Sequence, residues 1–412
     1  MASIEQRAFN IEDLQRLALR RLPRGVYDFI ERGAEDDKAI RANREAFDHW
    51  ALLPRVLRDV STRDLSVQLF GKRLQSPILV APAGVAGLMW HDGEVAIARA
   101  AARLGMPFTL SNASMTSMER IAEQSDGPLW FQLYMWKDAA LSHDLVRRVS
   151  EAGYEALVVT VDTPVSPNRE YNRRNGFSVP FRVSRRNLLD LALHPAWLLS
   201  VMGRYLATTG MPQFENYPEQ YRSSLTKLPT GKWTLPKNDA LTWTDLKRLR
   251  KLWKGPLIVK GILHPADAAE AVDCGADAVI VSNHGGRNLD SSLPPLFALP
   301  AVVDRVASKI PVIMDGGIRR GSDVAKALAL GATVVMAGRA PLWGVAAAGE
   351  SGAHHALNLL NQELDRVLGS LGCSSLEEVD AGAICQASPL PRSTAPPALA
   401  AVPREKRAAP LY

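Results

Sequence analysis

Eight short apolar runs, each followed by a segment of helical periodicity, constrain the fold of this 412-residue chain more than any other feature. The segments between them, such as GEVAIARAAARLG, place apolar residues on one helical face. Eight successive strand–helix units close most economically into a parallel barrel. The pattern therefore predicts an α/β fold of the (β/α)8 TIM-barrel class, with an open doubly wound sheet as the lesser alternative. The runs are PILVAPAG (77–84), PFTLSNA (107–113), LWFQLY (129–134), ALVVTVD (156–162), PLIVKGI (256–262), AVIVSNHG (278–285), PVIMDGGI (311–318) and TVVMAGRA (333–340).

The positions of these runs also divide the chain. Residues 1–76 are expected to form an N-terminal helical lead-in, residues 77–385 the barrel, and the proline-rich residues 386–412 a disordered tail. A long insertion, residues 163–255, separates the fourth and fifth runs. Because it far exceeds an ordinary connection, it indicates a functional or disordered element.

Within the insertion, the segment 178–215 is predicted to bind a membrane surface. LLDLALHPAWLLSVM (188–202) is apolar but interrupted by Asp190, His194 and Pro195, and it is shorter than the roughly 20 residues that a spanning helix needs. An apolar stretch with flanking cations suits the interface of an anionic bilayer, and a lid or a subunit contact is the alternative. The flanking cations are Arg182, Arg185, Arg186 and Arg204.

Composition and charge narrow the possible function classes. A net charge of +6 is compatible with an anionic partner, but no groove-reading motif is present, so a nucleic-acid partner is not expected. Cys274, Cys373 and Cys385 have no metal-ligand spacing and no disulfide framework, which favours a reducing compartment and no metal site. The charged first residues lack the apolar core of a secretory signal, so the protein is expected in the cytoplasm.

Polar residues and glycines collect at the ends of the predicted strands. Because barrel enzymes place their chemistry at the carboxyl ends of the strands, this convergence predicts a catalytic site on one rim. DGGIRRG (315–321) and AGRA (337–340) offer backbone amides and the cations Arg319 and Arg339 to an anion, at the usual phosphate position of such barrels. Lys260, at the fifth strand end, is suited to stabilise negative charge on a reduced cofactor ring.

From about residue 10 to residue 385, the chain resembles the FMN-dependent (S)-2-hydroxy acid oxidases and dehydrogenases. SNHGGRNLD (282–290) is similar to that family's signature, with Asn288 where glutamine is usual, and VYDFIERGAEDD, FQLY, TVDTP, VKGI and DGGIRRG match in order. The resemblance implies an FMN cofactor, a 2-hydroxy acid substrate and a homo-oligomer, by family a tetramer. The residues that it assigns to FMN are Ala83, Gly84, Ser111, Gln132, Thr160, Lys260, Ser282, Asp315, Gly317, Arg319, Gly338 and Arg339.

The resemblance assigns a second set of residues to the substrate. Arg287 and Arg169 suit its carboxylate because a planar guanidinium binds a carboxylate with two hydrogen bonds. His284 is expected to take the hydroxyl or α-carbon proton, and Asp162 to stabilise the resulting imidazolium. A hydride route and a carbanion route both remain open. The substrate-facing residues are Phe29, Ala113, Tyr134, Arg169, His284 and Arg287.

Three departures from the family pattern indicate a subgroup. Phe29 stands where the family commonly carries a tyrosine that hydrogen-bonds the substrate carboxylate. Ala113 replaces the tryptophan of glycolate oxidases and leaves space for an aryl or long side chain, and Gly84 replaces the alanine of the oxidases. With the insertion and the run GMPQFENY (210–217), these features are most similar to membrane-associated (S)-mandelate dehydrogenases.

L-lactate dehydrogenases and short-chain 2-hydroxy acid oxidases are the rival subgroups. Membership of the mandelate subgroup implies a membrane quinone as electron acceptor. It also implies a peripheral location on the inner face of the cytoplasmic membrane.

Overall fold

The computed structural model describes residues 2–177, 184–222, 224 and 238–387. All eight predicted apolar runs form strands. Within these residues the strands are β1 (Trp50–Leu52), β2 (Val67–Leu69), β3 (Lys72–Leu74), β4 (Ile78–Ala83), β5 (Phe108–Ser111), β6 (Leu129–Leu133), β7 (Ala156–Thr160), β8 (Leu257–Ile262), β9 (Ala278–Val281), β10 (Val312–Asp315), β11 (Val334–Ala337) and β12 (Ile384–Gln386).

Strands β4 to β11 form one closed parallel barrel. Neighbours pair in chain order, and β11 pairs with β4 to complete the ring. The closed ring confirms the predicted (β/α)8 class and excludes the doubly wound sheet. Each barrel strand is followed by a helix that covers the outside of the barrel, which is the arrangement that the alternating pattern favoured.

Several helices begin at N-cap residues that can be recognised in the sequence. Ser117 and Asp138 accept hydrogen bonds from backbone amides in the first turns of the helices that follow them. The helices are α1 (Ile11–Arg21), α2 (Arg24–Glu31), α3 (Lys38–Asp48), α4 (Gly93–Ala102), α5 (Met118–Gln124), α6 (Ala139–Glu151), α7 (Glu170–Asn175), α8 (Arg185–Ala192), α9 (Pro195–Trp197), α10 (Arg204–Ala207), α11 (Trp243–Leu252), α12 (Pro265–Asp273), α13 (Pro295–Val306), α14 (Gly321–Ala329) and α15 (Arg339–Leu371). A π-helix, Leu198–Gly203, joins α9 to α10.

The amino-terminal end of the barrel is closed by the hairpin of β2 and β3. Its two-residue turn, Phe70–Gly71, has positive φ at both positions, which matches the twist of a tight hairpin. Leu69 and Leu74 are buried with the residues that fill the barrel interior, and the Phe70 ring lies 5.8 Å from the ring of Trp130. The carboxyl ends of the strands are therefore the end at which a ligand can enter.

The lead-in contains more than the predicted helices. Helices α1 to α3 precede the three short strands β1 to β3, and β1 pairs antiparallel with β12 from the far end of the chain. Gln386 therefore lies in a strand rather than at the start of the tail, while residues 388–412 lie outside the described residues.

The insertion after β7 folds into helices that pack on the barrel. Trp197 Nε1 donates to the carbonyl of Leu88 at 2.7 Å, and the hydroxyl of Tyr205 accepts from the amide of Asp92 at 3.3 Å. Residues 178–183, including Arg182, lie outside the described part of the chain. In the part that is described, no helix has both the length and the apolar character needed to cross a bilayer.

Candidate functional site

A cavity of about 820 Å³ opens at the carboxyl ends of the barrel strands. Gln132, Asp162 and Ser282 do not line it but lie behind its wall, and each hydrogen-bonds a residue that does. The structure thus brings the predicted site residues together. Those that line the cavity are Phe29, Ala83, Gly84, Ser111, Ala113, Tyr134, Thr160, Arg169, Lys260, His284, Arg287, Asp315, Gly317, Arg319, Gly338 and Arg339.

An unusual turn after β9 presents His284 to the cavity. His284, Gly285 and Gly286 all have positive φ, at 58°, 64° and 75°. A β carbon at Gly286 would lie 2.6 Å from the backbone nitrogen of Ile40, so this position accepts only glycine. The lead-in therefore packs against the turn, and the left-handed backbone of His284 is a local strain held by that packing.

The imidazole of His284 is held between Asp162 and Tyr134. Its Nδ1 lies 2.9 Å from Asp162 Oδ1, and its Nε2 lies 3.2 Å from the Tyr134 hydroxyl. The Asp162 contact fixes the proton on Nδ1, which leaves Nε2 as the basic atom. Burial lowers the pKa of His284 in spite of the Asp162 carboxylate, so the imidazole is neutral at neutral pH. It is therefore ready to accept a proton.

Lys260 supplies a buried positive charge beside this pair. Its Nζ lies 2.9 Å from Asp315 Oδ2 and donates to Ser282 Oγ at 2.7 Å. Burial opposes its charge, but the carboxylates of Asp315 and Asp162 outweigh burial and raise its pKa. For Asp162, burial is likewise outweighed by His284 and Lys260, so its pKa is lowered and it stays ionised.

The guanidinium groups of Arg169 and Arg287 both lie over the aromatic ring of Phe29. Arg287 lies 5.0 Å and Arg169 5.9 Å from the centroid of the Phe29 ring. Arg287 Nη1 donates to the carbonyls of Phe29 and Arg32 at the end of α2. Burial and the charge of Arg287 lower the pKa of Arg169 to about 10, so Arg169 remains charged at neutral pH. Two partly buried like charges in one cavity favour an anion between them.

The other half of the cavity fits FMN in the chemistry of its walls. Gln132 Nε2, Thr160 Oγ1 and Asp315 Oδ1 are buried without a hydrogen-bond partner among the described residues. Buried polar atoms are normally paired, so these atoms indicate a polar ligand rather than bare packing. They match the hydrogen-bonding edge and ribityl hydroxyls of a flavin, and Lys260 matches its ring charge.

The ends of β10 and β11 carry the glycines and arginines that the sequence predicts for a phosphate. Gly317 has a φ of 90°, and a β carbon there would lie 2.5 Å from the carbonyl oxygen of Asn43. The guanidinium of Arg319 stacks on Trp343 at 4.6 Å, and Arg339 is fixed by the carbonyls of Ile30 and Gly285 at 3.0 Å. Burial lowers the pKa of Arg339 to about 10. An anion placed here would relieve that unfavourable burial of charge.

Sequence reasoning missed several residues of the cavity wall. Asn43 and Arg44 come from α3 in the lead-in, and Trp136 and Tyr217 come from loops outside the strand ends. A search confined to strand ends has no signal for them. Tyr217 lies in GMPQFENY (210–217), a run that indicates the subgroup but not a place in the cavity wall.

Comparisons with known proteins point to one family. The model of the FMN-dependent dehydrogenase family matches residues 18–386. (S)-mandelate dehydrogenase of Pseudomonas putida is 42% identical over 90% of this chain and 93% of its own length. L-lactate dehydrogenase of Pectobacterium atrosepticum is 40% identical over 91% of this chain and 96% of its own length. The crystal structure of the monotopic membrane protein (S)-mandelate dehydrogenase superposes with a TM-score of 0.87 at 40% identity, covering 92% of this chain and all of that one.

The phosphate position yields a direct test. Arg319→Met is expected to weaken FMN binding roughly 10- to 100-fold, because a charge-assisted hydrogen bond contributes about 1.5–3 kcal/mol. The dissociation constant is measured by quenching of FMN fluorescence on titration with the apoprotein. Arg320→Met is the matched control, since Arg320 pairs with Glu363 at the surface and does not line the cavity. Equal dissociation constants for the two variants would contradict the assignment.

Proposed function

This chain belongs to the family of FMN-dependent dehydrogenases, and on that premise we propose that it oxidises an (S)-2-hydroxy acid of mandelate type and passes the electrons to a membrane quinone. As a member of that family it is an FMN-dependent 2-hydroxy acid dehydrogenase. The observation that carries the proposal is a neutral, basic His284 Nε2 in one cavity with the partly buried guanidinium groups of Arg169 and Arg287. The proposal adds two points to the family assignment, an aryl substrate and a quinone as electron acceptor.

The residues of this chain bind and orient the substrate. Arg169 and Arg287 hold the carboxylate, which places the hydroxyl-bearing carbon near His284 Nε2. His284 accepts a proton from the hydroxyl or from the α-carbon, and Asp162 stabilises the imidazolium that forms. Tyr134, which contacts Nε2, donates its hydroxyl to the substrate oxygen. Burial raises the pKa of Tyr134, so it acts only as a donor and not as a base.

FMN, when bound, supplies the acceptor for the two electrons that leave the substrate. Ser111 and Thr160 would meet its ring and ribityl chain, with Lys260 at the ring, and Gln132 and Ser282 would support Ser111 and Lys260 from behind the wall. Asp315 would bind the ribityl hydroxyls, and Arg319 and Arg339 the phosphate. Ala83, Gly84 and Gly338 would leave room in the wall for the cofactor, while Gly317 allows the close approach of Asn43.

The space beside Ala113 supports an aryl side chain. A β carbon at Gly84 would lie 3.5 Å from the Ala113 β carbon, so two small residues stand together in the cavity wall. The 42% identity to a mandelate dehydrogenase supports the same choice. The 40% identity to an L-lactate dehydrogenase keeps a short-chain substrate as the second candidate.

The insertion supports membrane attachment because it has two unlike faces. Trp197, Val201 and Tyr205 are buried against the barrel. The opposite face carries leucines with between 52% and 78% of their surface exposed, beside the exposed Arg185 and Arg204. An apolar face flanked by cations binds anionic bilayers by partial burial and charge attraction. The exposed leucines are Leu188, Leu189, Leu193, Leu199 and Leu206.

The charge state of His284 predicts the pH dependence. The base form is required, so kcat/KM rises with pH through the pKa of His284 in the free enzyme. Because burial lowers that pKa, the acid limb is expected below pH 6.5, the ordinary value for histidine. Asp162 raises this pKa, so Asp162→Asn should move the limb to still lower pH and reduce the plateau roughly 100-fold. Dye-coupled kinetics between pH 4.5 and 8 measure both effects.

His284→Asn is the control for this prediction. It should abolish the acid limb and most of the rate while the protein remains yellow. An acid limb above pH 6.5, or one that Asp162→Asn leaves in place, would argue against His284 as the base.

The side-chain space predicts a change of substrate preference. Ala113→Trp is expected to lower kcat/KM for mandelate roughly 10-fold or more relative to lactate, because the indole fills the aryl position. Steady-state kinetics with mandelate, lactate and glycolate measure the ratio. An equal loss of kcat/KM on all three substrates would show that Ala113 does not line the side-chain pocket. A wild-type preference for lactate over mandelate would favour the second candidate function.

We expect that mutations in the insertion can abolish membrane binding without abolishing substrate oxidation. The triple variant Leu189→Ser, Leu193→Ser and Leu199→Ser should lose flotation with anionic liposomes and most of its quinone reduction. Its dye-coupled oxidation of substrate should persist, because these side chains point away from the barrel. Binding of the wild type should weaken as salt is added.

Leu57→Ser with Leu252→Ser is the matched control, since both leucines are exposed and lie outside the segment 178–215. These changes should leave flotation intact. If the unaltered protein stays in solution, or if the triple variant loses flavin reduction itself, the exposed leucines serve as a lid or a subunit contact instead.

A further inference from the structure

Hydrogen bonds of Asn216 lock the insertion onto the loop that follows β5. Asn216 is fully buried, and its side chain donates to Ser114 Oγ at 2.7 Å and to the carbonyl of Thr116 at 3.0 Å. Its Oδ1 accepts from the amide of Met118 at 2.9 Å. Every hydrogen-bonding group of this amide except one lone pair is therefore engaged. The lock fixes the position of the next residue, Tyr217.

Tyr217 is held over the cavity by aromatic packing. Its ring meets Trp136 edge-on at 5.9 Å between centroids and stacks on Phe214 at 5.2 Å. It lines the same cavity as Tyr134. A residue of the insertion thus completes the substrate chamber.

Within the part of the chain that the structure describes, the phenol oxygen of Tyr217 makes no hydrogen bond. Burial raises its pKa to about 12, so the hydroxyl keeps its proton at neutral pH. Tyr217 is partly buried and lines the cavity, so its hydroxyl is available to hydrogen-bond a ligand there.

The cavity that Tyr217 lines has both polar and apolar walls. It is lined by Asn238, Asp239, Thr242 and Asp267 as well as by the indoles of Trp136 and Trp243. Such a wall suits a flat apolar group with a polar substituent on its outer edge. A short aliphatic side chain would leave both the aromatic walls and the phenol of Tyr217 without contact.

We propose that Tyr217 is a specificity-determining residue whose phenol hydrogen-bonds a hydroxyl on the outer edge of the substrate's aryl ring. The preferred substrate class is then a ring-hydroxylated aryl 2-hydroxy acid. This inference rests on the proposed aryl 2-hydroxy acid dehydrogenase function. Tyr217 does not act at the reacting carbon, because the basic Nε2 of His284 is contacted by Tyr134.

The test compares 4-hydroxymandelate with mandelate in the wild-type holoenzyme and in Tyr217→Phe. The wild type is expected to have the higher kcat/KM for 4-hydroxymandelate. Tyr217→Phe should reduce the ratio of the two kcat/KM values roughly 3- to 10-fold, since one neutral hydrogen bond is lost. Tyr205→Phe is the matched control, because Tyr205 is a buried tyrosine of the same insertion that does not line the cavity. It should leave the ratio unchanged.

A binding measurement separates recognition from turnover. Titration with phenylglyoxylate and 4-hydroxyphenylglyoxylate, followed by the flavin absorbance, should show tighter binding of the hydroxylated acid in the wild type and no such preference in Tyr217→Phe. If both aryl acids reduce the flavin and the ratio is the same in wild type and Tyr217→Phe, this inference is overturned and the proposed function stands. If neither aryl acid reduces the flavin while lactate does, the proposed aryl function is wrong and this inference with it.

Discussion

The charge states of the acid and base groups at the barrel rim depend on Lys260, a buried lysine close to two carboxylates. Lys260 lies 2.9 Å from Asp315, and it also lowers the pKa of Asp162 from a distance. Because Asp162 stays ionised, the proton of His284 stays on Nδ1 and Nε2 remains basic. Lys260, Asp162 and His284 come from the ends of three different strands, and the charge of each one changes the protonation energy of the other two. The base therefore depends on the lysine although the two side chains do not touch.

The fold and the centre of the site were predictable because both follow from a repeated local pattern. Each strand is an apolar run, and its last residues face the rim by the geometry of the barrel. Lys260 and His284 could be placed in one site without knowing any distance between them. The hairpin of β2 and β3 was not predicted, because its strands are too short to show an alternating pattern and are stabilised by the barrel interior.

Residues of the cavity wall that lie outside the strand ends could not be predicted in the same way. Arg44 reaches Asp323 at 2.6 Å, and its position depends on how the lead-in packs across the rim. Tyr217 depends on the lock of Asn216 to a loop about 100 residues earlier in the chain. Such contacts leave no periodic signal in the sequence. They also join the insertion to the substrate chamber, so its barrel-facing side and its solvent-facing side have different roles.

The substitution of phenylalanine for the family's usual tyrosine at position 29 changes how a carboxylate would be held. The ring of Phe29 lies within 6 Å of both Arg169 and Arg287, so it stabilises two guanidinium groups that repel each other. A phenol at this position would add one neutral hydrogen bond to the substrate. Without it, carboxylate binding rests on the two charges, which act at longer range and with less demand on geometry than a hydrogen bond. Discrimination among substrates would then fall to other residues that line the cavity, among them Ala113 and Tyr217.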